Sequence, residues 1–304
     1  MQEPIDARVR MGDGIELHVR EHRPDAQAAA QAAALMEDGP HSHPFLLVHG
    51  LSSNARLWDG VGRVLAAAGH RSVAVDLRAH GRSDPSDALT FPTLVDDLAR
   101  VIDATGLDRP IAVGQSWGGN VVLELGASRP DVVRGVVGVD GGLIDLAARF
   151  PDVAACWEAL APPTLDHLRW EDLTAGMGHR MGGWPDGAVE AQLGNLTADP
   201  SDGRVRAILT RERHRSIVEH LYAHRPLDRL TILEVPMLLL AVTGGSRSVL
   251  DEDRLETARS AARAGLDVVR LPGRDHDVHL QEPATVTDLL LRWSTGDRVP
   301  ERVA

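Results

Sequence analysis

The chain has 304 residues, 43% of them hydrophobic and 25% charged, which is enough apolar material for one large folded domain. Its formal net charge of −12 argues against nucleic acid or an anionic membrane surface as a main partner. All 32 basic residues are arginine, so a Schiff-base lysine and a P-loop lysine are excluded. The single cysteine, Cys156, excludes an internal disulfide and a cysteine-rich zinc site.

The N-terminal residues carry charges and glycines where a secretory signal would need an apolar run. The longest apolar run, residues 235–242, has 8 residues, far below the ~20 that span a bilayer. The sequence therefore predicts a cytoplasmic protein without a membrane partner.

Short apolar runs alternate with segments of helical periodicity, which is typical of a parallel sheet covered by helices. After an opening hairpin over residues 8–20, the predicted strands are 45–48, 72–75, 111–113, 132–139, 236–242 and 268–271. The predicted helices are 61–68, 94–104, 120–127, 254–264 and a closing helix that includes 289–293. No internal repeat is visible, so the alternation predicts a single α/β domain.

The alternation is interrupted between residues 143 and 230, where tryptophan, methionine, proline and glycine accumulate. We therefore predict three parts: a first core part (1–142), a mostly helical insertion (143–230) and a second core part (231–304). Within the insertion, large apolar side chains are predicted either to line an apolar pocket or to form the insertion's own small core. The side chains chosen as candidate pocket residues are Trp157, Met181 and Trp184.

The strongest chemical signal is Gly-Gln-Ser-Trp-Gly at residues 114–118, between a predicted strand and a predicted helix. On such a tight turn a serine projects its hydroxyl above the sheet, and small neighbours permit the backbone path. The N-terminus of the next helix offers N–H groups to a developing negative charge. This pattern predicts Ser116 as a nucleophile. The alternative is a glycine-rich turn with an unreactive serine.

Such a serine needs a base, and 14 histidines compete for that role. His276 follows the last predicted strand, and a loop at that strand end lies over the same edge of the sheet as Ser116. We therefore predict His276 as the base. His279, three residues later, is the rival, and the remaining alternative is that no histidine is catalytic.

Four segments of the chain together resemble one superfamily. They are His-Gly-Leu at 49–51, Asp-Leu-Arg-Ala-His-Gly-Arg-Ser at 76–83, the turn at Ser116, and His276 followed by Pro283. In this order and spacing they are similar to the α/β-hydrolase superfamily, and the resemblance covers about residues 8–295. It implies a mostly parallel central sheet flanked by helices, with a helical lid inserted after strand six.

The resemblance also implies roles for particular residues. Ser116 would be the nucleophile and His276 its base, and the backbone N–H groups of Leu51 and Trp117 would form the oxyanion hole. The segment 76–83 would be a structural brace, and the insertion would be the lid. No metal or organic cofactor is implied.

The acid that should orient the base is less clear from the sequence. In most relatives it lies shortly after the strand that opens here at Pro236, but residues 243–248 contain no carboxylate. One branch of the superfamily places its acid at the end of the sixth strand, where this chain has Asp140. The alternatives are Asp251 or, less favoured, Asp253 from a longer loop, or no acid at all. We favour Asp140.

A serine at this turn is suited to acyl transfer, whereas related epoxide hydrolases and dehalogenases use aspartate there. The sequence therefore predicts a serine hydrolase acting on a small to medium acyl substrate, most simply a carboxylic ester. One alternative is a lyase, a cyclase or a carbon–carbon bond hydrolase on the same fold. Another is a degenerate, non-catalytic binding protein. The only partner predicted is the small-molecule substrate, and a homo-oligomer is left open.

Overall fold

The computed structural model describes residues 3–34, 43–243 and 252–303. Its strands are β1 (Ile5–Arg10), β2 (Glu16–His22), β3 (Phe45–Val48), β4 (Ser72–Val75), β5 (Ile111–Gln115), β6 (Gly135–Val139), β7 (Leu196–Ala198), β8 (Val205–Ala207), β9 (Met237–Thr243) and β10 (Leu266–Pro272). Eight of them form one sheet in the order β1-β2-β4-β3-β5-β6-β9-β10. The pairs β1–β2 and β2–β4 are antiparallel, and the other pairs in this sheet are parallel.

Helices cover both faces of the sheet. They are α1 (Ala26–Ala34), α2 (Asp59–Ala67), α3 (Phe91–Thr105), α4 (Trp117–Ser128), α5 (Val153–Leu160), α6 (Trp170–Arg180), α7 (Ala188–Leu193), α8 (Arg211–Ala223), α9 (Pro226–Ile232), α10 (Glu252–Ala261), α11 (Val278–Gln281) and α12 (Pro283–Ser294), with a 3₁₀ turn at Ala55–Trp58. Among the described helices, none is long and apolar enough to cross a membrane.

The central strands are apolar on both sides because each side faces a helical layer. In β3, Leu46 and Val48 join the core that includes α3 and α4. The alternate residues, Phe45 and Leu47, join the core that includes α2 and α12. The predicted mostly parallel sheet flanked by helices is therefore confirmed.

The register of the parallel strands aligns their carboxyl ends. Val48 at the end of β3 pairs with Gly114 in β5, and Val139 at the end of β6 pairs with Gln115 in β5 and with Leu240 in β9. The loops that follow these strands consequently begin side by side at one edge of the sheet. This edge is where ligands bind in open α/β sheets.

Between the neighbouring strands β6 and β9 the chain leaves the sheet and forms the inserted segment, residues 143–230. It contains α5 to α8 and most of α9, and α9 packs against α4 and α10 across the predicted boundary at 230. It also contains the antiparallel pair β7–β8, which the prediction of a mostly helical insertion missed. These strands have three residues each, too few to show a strand periodicity.

Candidate active site

Ser116 occupies a strained turn between β5 and α4, with φ 52° and ψ −124°. A positive φ is a strained conformation for a non-glycine residue, so contacts with neighbouring residues must stabilise it. The Ser116 N–H donates to the Val139 carbonyl in β6 at 3.0 Å. Behind the turn, a side-chain carbon at Gly141 would collide with the Ser116 backbone. The predicted serine therefore lies on a turn that close backbone contacts fix.

His276 lies in the loop between β10 and α11, and two bonds hold it beside this turn. Its backbone carbonyl accepts a hydrogen bond from Gln115 Nε2 at 3.1 Å, and Gln115 directly precedes Ser116. Its ring Nδ1 lies 2.6 Å from Asp140 Oδ2. The imidazole is 35% exposed, whereas the carboxylate beneath it is 5% exposed. The His276 ring is thus partly exposed at the carboxyl edge of the sheet and contacts the buried carboxylate of Asp140.

Asp140, the residue after β6, is held by the neighbouring strand β9. Its backbone N–H donates to the Leu240 carbonyl at 2.8 Å, and its Oδ1 accepts the Val242 N–H at 3.3 Å. The other carboxylate oxygen is therefore directed at His276. A carboxylate that accepts a hydrogen bond from Nδ1–H selects the tautomer in which Nε2 carries no hydrogen and can accept a proton.

The other acids considered from the sequence are placed differently. Asp251 lies outside the described residues. Asp253 is exposed in the first turn of α10. Among the described carboxylates, Asp140 is therefore the one that the fold brings to His276.

His279, the rival base, is fully buried. Neither ring nitrogen has a hydrogen-bond partner among the described residues. The ring lies 4.5 Å from the Trp58 ring, and burial lowers the pKa of His279 to about 3. His279 is therefore neutral at physiological pH and packs as a core residue.

The two predicted oxyanion donors lie on segments that contact each other directly. A side-chain carbon at Gly118 in α4 would collide with the His49 carbonyl, and one at Gly50 would lie 3.1 Å from Ser116 Cβ. Within the described part of the chain, neither the Leu51 nor the Trp117 N–H donates to a protein acceptor. Trp117 is the first residue of α4, where an N–H has no partner inside the helix.

His49 braces the loop that carries Leu51. It is fully buried, its Nδ1–H donates to the Gly50 carbonyl at 2.7 Å, and its Nε2 accepts the Leu77 N–H at 3.0 Å. Burial also holds the pKa of His49 below its usual range, which keeps one ring nitrogen as an acceptor. The sequence motifs include His49 and Gln115 but do not predict their contacts with Leu77 and His276, because those partners lie in other segments.

Asp76 shows the bracing expected for segment 76–83. Its buried carboxylate accepts the Ala55 N–H at 2.6 Å and the Arg82 N–H at 2.9 Å, and it lies 2.7 Å from His18 Nδ1. The carboxylate is 2% exposed and binds three partners, so it fixes the loops and is not accessible to a substrate.

A cavity of about 450 Å³ lies between this edge of the sheet and the inserted segment. Ser52 and His80 belong to its core side, and Leu196, Ile208 and Leu209 belong to its inserted side. A cavity of this size, with mainly apolar walls and a few polar groups, is typical of a small-molecule site.

None of the predicted pocket residues Trp157, Met181 and Trp184 lines this cavity. Met181 and Trp184 pack on a small cluster that includes Leu57 and Leu280. Met181 and Trp184 thus pack where the inserted segment meets the core, because Leu57 and Leu280 belong to the core parts of the chain. Trp157 lies on α5, against α8. Cys156, on the same helix, is fully buried as a small apolar residue.

A family model described as the alpha/beta hydrolase fold matches residues 43–226, and the chain therefore belongs to the α/β-hydrolase family. Its curated relatives include esterases, lipases and epoxide hydrolases. It is 32% identical over 112 residues to esterase YbfF of Escherichia coli, covering 37% of this chain and 44% of that relative. It is 28% identical over 182 residues to lipase LipV of Mycobacterium tuberculosis, covering 53% of this chain and 63% of the relative.

The chain thus spans less than two thirds of the length of either curated relative. A solved structure, that of E-2-(acetamidomethylene)succinate hydrolase, is similar over 97% of this chain and 100% of the other, with a TM-score of 0.74. At 22% identity this likeness shows the fold alone. The described residues include no group of three or more histidine, cysteine or acidic side chains placed to hold a metal ion.

Proposed function

We propose that this protein is a serine hydrolase that cleaves a carboxylic ester with a small to medium acyl group. The observation that carries the proposal is the 2.6 Å contact between His276 Nδ1 and Asp140 Oδ2, held beside the strained turn of Ser116. A binding protein has no physical need for a buried acid aligned with a partly exposed imidazole at such a turn.

In the proposed reaction, Ser116 Oγ attacks the ester carbonyl carbon while His276 Nε2 takes the hydroxyl proton. The tetrahedral intermediate collapses as the carbon–oxygen bond to the alcohol breaks, and His276 returns the proton to the departing alkoxide. Water, deprotonated by His276, then attacks the acyl-enzyme and releases the carboxylic acid and Ser116. Asp140 stays ionised throughout and stabilises the imidazolium that forms twice in the cycle.

Charge on the carbonyl oxygen would be stabilised by the Leu51 and Trp117 N–H groups. Their support comes from the direct contact between the loop after β3 and the start of α4, and from the absence of protein acceptors for either N–H in the described residues. An oxyanion donor of this kind contributes about 10²–10³-fold in rate.

Three further observations support an ester as the substrate. The nucleophile is serine, which suits acyl transfer better than epoxide opening. The 450 Å³ cavity is large enough for a small to medium acyl group, and its lining reaches Ser52, next to Leu51, but does not include Ser116 or His276. Two of the curated relatives are named an esterase and a lipase.

The test is reaction of the purified protein with a fluorophosphonate, followed by intact mass, together with hydrolysis of p-nitrophenyl esters from acetate to octanoate. We expect one label per chain, and we expect Ser116→Ala and His276→Ala to lose both labelling and ester hydrolysis. Ser116→Ala should lower kcat by at least about 10⁴-fold, since the nucleophile is required for the covalent route.

Other outcomes would point elsewhere. Labelling at Ser116 without turnover of any ester would favour a lyase, a cyclase or a carbon–carbon bond hydrolase. A folded wild-type protein that neither labels nor hydrolyses any ester would overturn the hydrolase proposal in favour of a binding protein.

A further inference from the structure

A second serine–histidine contact joins the inserted segment to the loop that carries Leu51. Ser52 Oγ lies 2.9 Å from Nδ1 of His214, which belongs to α8. Ser52 directly follows Leu51 and lines the 450 Å³ cavity. The contact therefore connects the wall of the cavity to the backbone segment of a proposed oxyanion donor.

This pair differs from a nucleophile with its base. The polar neighbour of the His214 ring besides Ser52 is the backbone of Leu160 rather than a carboxylate, and burial lowers the pKa of His214 to about 4. A neutral ring that donates one N–H to a carbonyl keeps its other nitrogen as an acceptor. In the tautomer with its hydrogen on Nε2, His214 Nδ1 accepts a hydrogen bond from the Ser52 hydroxyl, and no acid among the described residues is placed to stabilise an imidazolium. The geometry favours a positioning role.

Ser52 needs such a partner because its backbone is in the left-handed region, with φ 57°. A non-glycine residue adopts this conformation at a cost, and surrounding contacts must stabilise it. Farther along the same loop, Asn54 Nδ2 donates to Asn195 Oδ1 at 2.6 Å and to the Ala191 carbonyl at 2.8 Å. The inserted segment thus contacts the loop at two points, of which Ser52 is the one adjacent to Leu51.

The ring of His214 is itself held in place. It is 7% exposed, and the Trp157 ring meets it edge-on with centroids 6.0 Å apart. The guanidinium groups of Arg211 and Arg215 lie 5.0 Å and 5.7 Å from the centre of the Trp157 ring. The position of the acceptor for Ser52 is therefore set by the packing of α5 on α8.

We propose that the Ser52–His214 hydrogen bond positions the Leu51 N–H, so that packing of the inserted segment determines how well the oxyanion is stabilised. This inference rests on the proposed function, since it assigns Leu51 the role of an oxyanion donor. Both residues act through the loop, and neither takes part in a bond-making step.

The test compares Ser52→Ala, His214→Leu and the double variant with the wild type. For each, kcat and KM with a p-nitrophenyl ester are measured, together with the rate constant for phosphonylation of Ser116. Loss of one neutral hydrogen bond should lower kcat and the phosphonylation rate by about 3- to 10-fold, while KM changes by less than about 2-fold. The double variant should lose no more than the worse single variant, because both remove the same bond.

Two substitutions separate positioning from a general effect on structure. His214→Asn retains an acceptor near the position of Nδ1 and should restore most of the rate lost in His214→Leu. Ser53→Ala is the matched comparison, since it removes the neighbouring hydroxyl, which has no hydrogen-bond partner among the described residues. Ser52→Ala should lose more rate than Ser53→Ala, with thermal midpoints within a few degrees of each other.

If Ser52→Ala does not fold, Ser52→Gly removes the hydroxyl while tolerating the positive φ, and it should show the same loss of kcat. The inference is overturned if the wild type is active and the Ser52 variants have the same kcat. It is also overturned if the losses of kcat in Ser52→Ala and His214→Leu add up in the double variant. It is also overturned if His214→Asn is as slow as His214→Leu. If the wild type itself neither labels nor hydrolyses esters, the proposed function fails and the inference fails with it.

Discussion

The carboxyl edge of the central sheet and the inserted segment above it are held in different ways. At the sheet edge, Arg78 donates two hydrogen bonds to Asp97, at 2.6 Å and 2.7 Å, and both side chains are less than 5% exposed. In the inserted segment, α6 has no buried residue. Arg213, which links α8 to the core at Asp87, makes a 2.7 Å pair whose carboxylate is 86% exposed. The proposed chemistry therefore lies beside a buried ion pair, whereas the inserted segment includes a helix, α6, that buries no residue.

The largest effect should come from removing the charge beneath His276. Asp140→Asn preserves the shape of the site but offers the imidazolium no negative partner, so kcat/KM for an ester should fall by about 10³–10⁴-fold. Unfolding in urea would confirm that the variant is folded.

Asp253→Asn is the control on the exposed surface of α10 and should stay within about 2-fold of the wild type. A greater loss in Asp251→Asn than in Asp140→Asn would contradict the assignment of Asp140 and favour Asp251 as the acid.

The next effect compares two ion pairs. Arg78→Ala leaves the Asp97 carboxylate buried without its main partner and should lower the free energy of unfolding by about 3–5 kcal/mol. Arg213→Ala removes an exposed pair and should cost less than about 1 kcal/mol. Urea titration of both variants measures the difference. Equal losses in the free energy of unfolding would show that the Arg213–Asp87 pair stabilises the protein as much as the Arg78–Asp97 pair does.

The same substitution, glycine to alanine, should change the stability of the protein in opposite directions in the two regions. At Gly118 the added methyl group would collide with the His49 carbonyl, so stability should fall by about 2–3 kcal/mol and ester hydrolysis should slow. At Gly178, in α6, nothing lies within 4 Å of the added carbon, and alanine should stabilise the protein by up to about 1 kcal/mol. Thermal unfolding of the pair tests the contrast. Destabilisation at both positions would refute it.

The smallest effect concerns pH. Because burial lowers the pKa of His279 to about 3, the unfolded chain binds a proton near pH 6.5 that the folded chain does not. Stability is therefore lost as the pH falls below about 6.5, and this residue should account for about 2 kcal/mol of loss at pH 5. His279→Phe should remove that part of the loss, as measured by urea unfolding at pH 7 and pH 5.

The same variant tests the choice of base. His279→Phe should hydrolyse esters at close to the wild-type rate at neutral pH, because the ring packs in the core against Trp58. If His279→Phe were inactive while His276→Ala retained activity, the base would have been assigned to the wrong histidine.

Local patterns predicted much of the fold. The strands at Phe45–Val48 and Ser72–Val75 were predicted with their observed bounds, because each is a short run of mainly apolar residues, all of them buried. The turn at Ser116 was predicted from five consecutive residues between a strand and a helix. By contrast, the β7–β8 pair was missed, because strands of three residues carry no periodic signal.

The sequence by itself determined the α/β class, the family and the position of Ser116 on its turn, since these depend on patterns within short stretches of chain. Roles for Ser116, His276, Leu51 and Trp117 stay predictions until they are measured. The sequence favoured Asp140 as the acid but left Asp251, Asp253 and the absence of an acid as alternatives. Only the tertiary structure brings Asp140 to His276, 136 positions away in the chain, because β9 alone separates β6, which precedes Asp140, from β10, which precedes His276. Proximity across parallel strands depends on strand order, and strand order leaves no mark in local sequence.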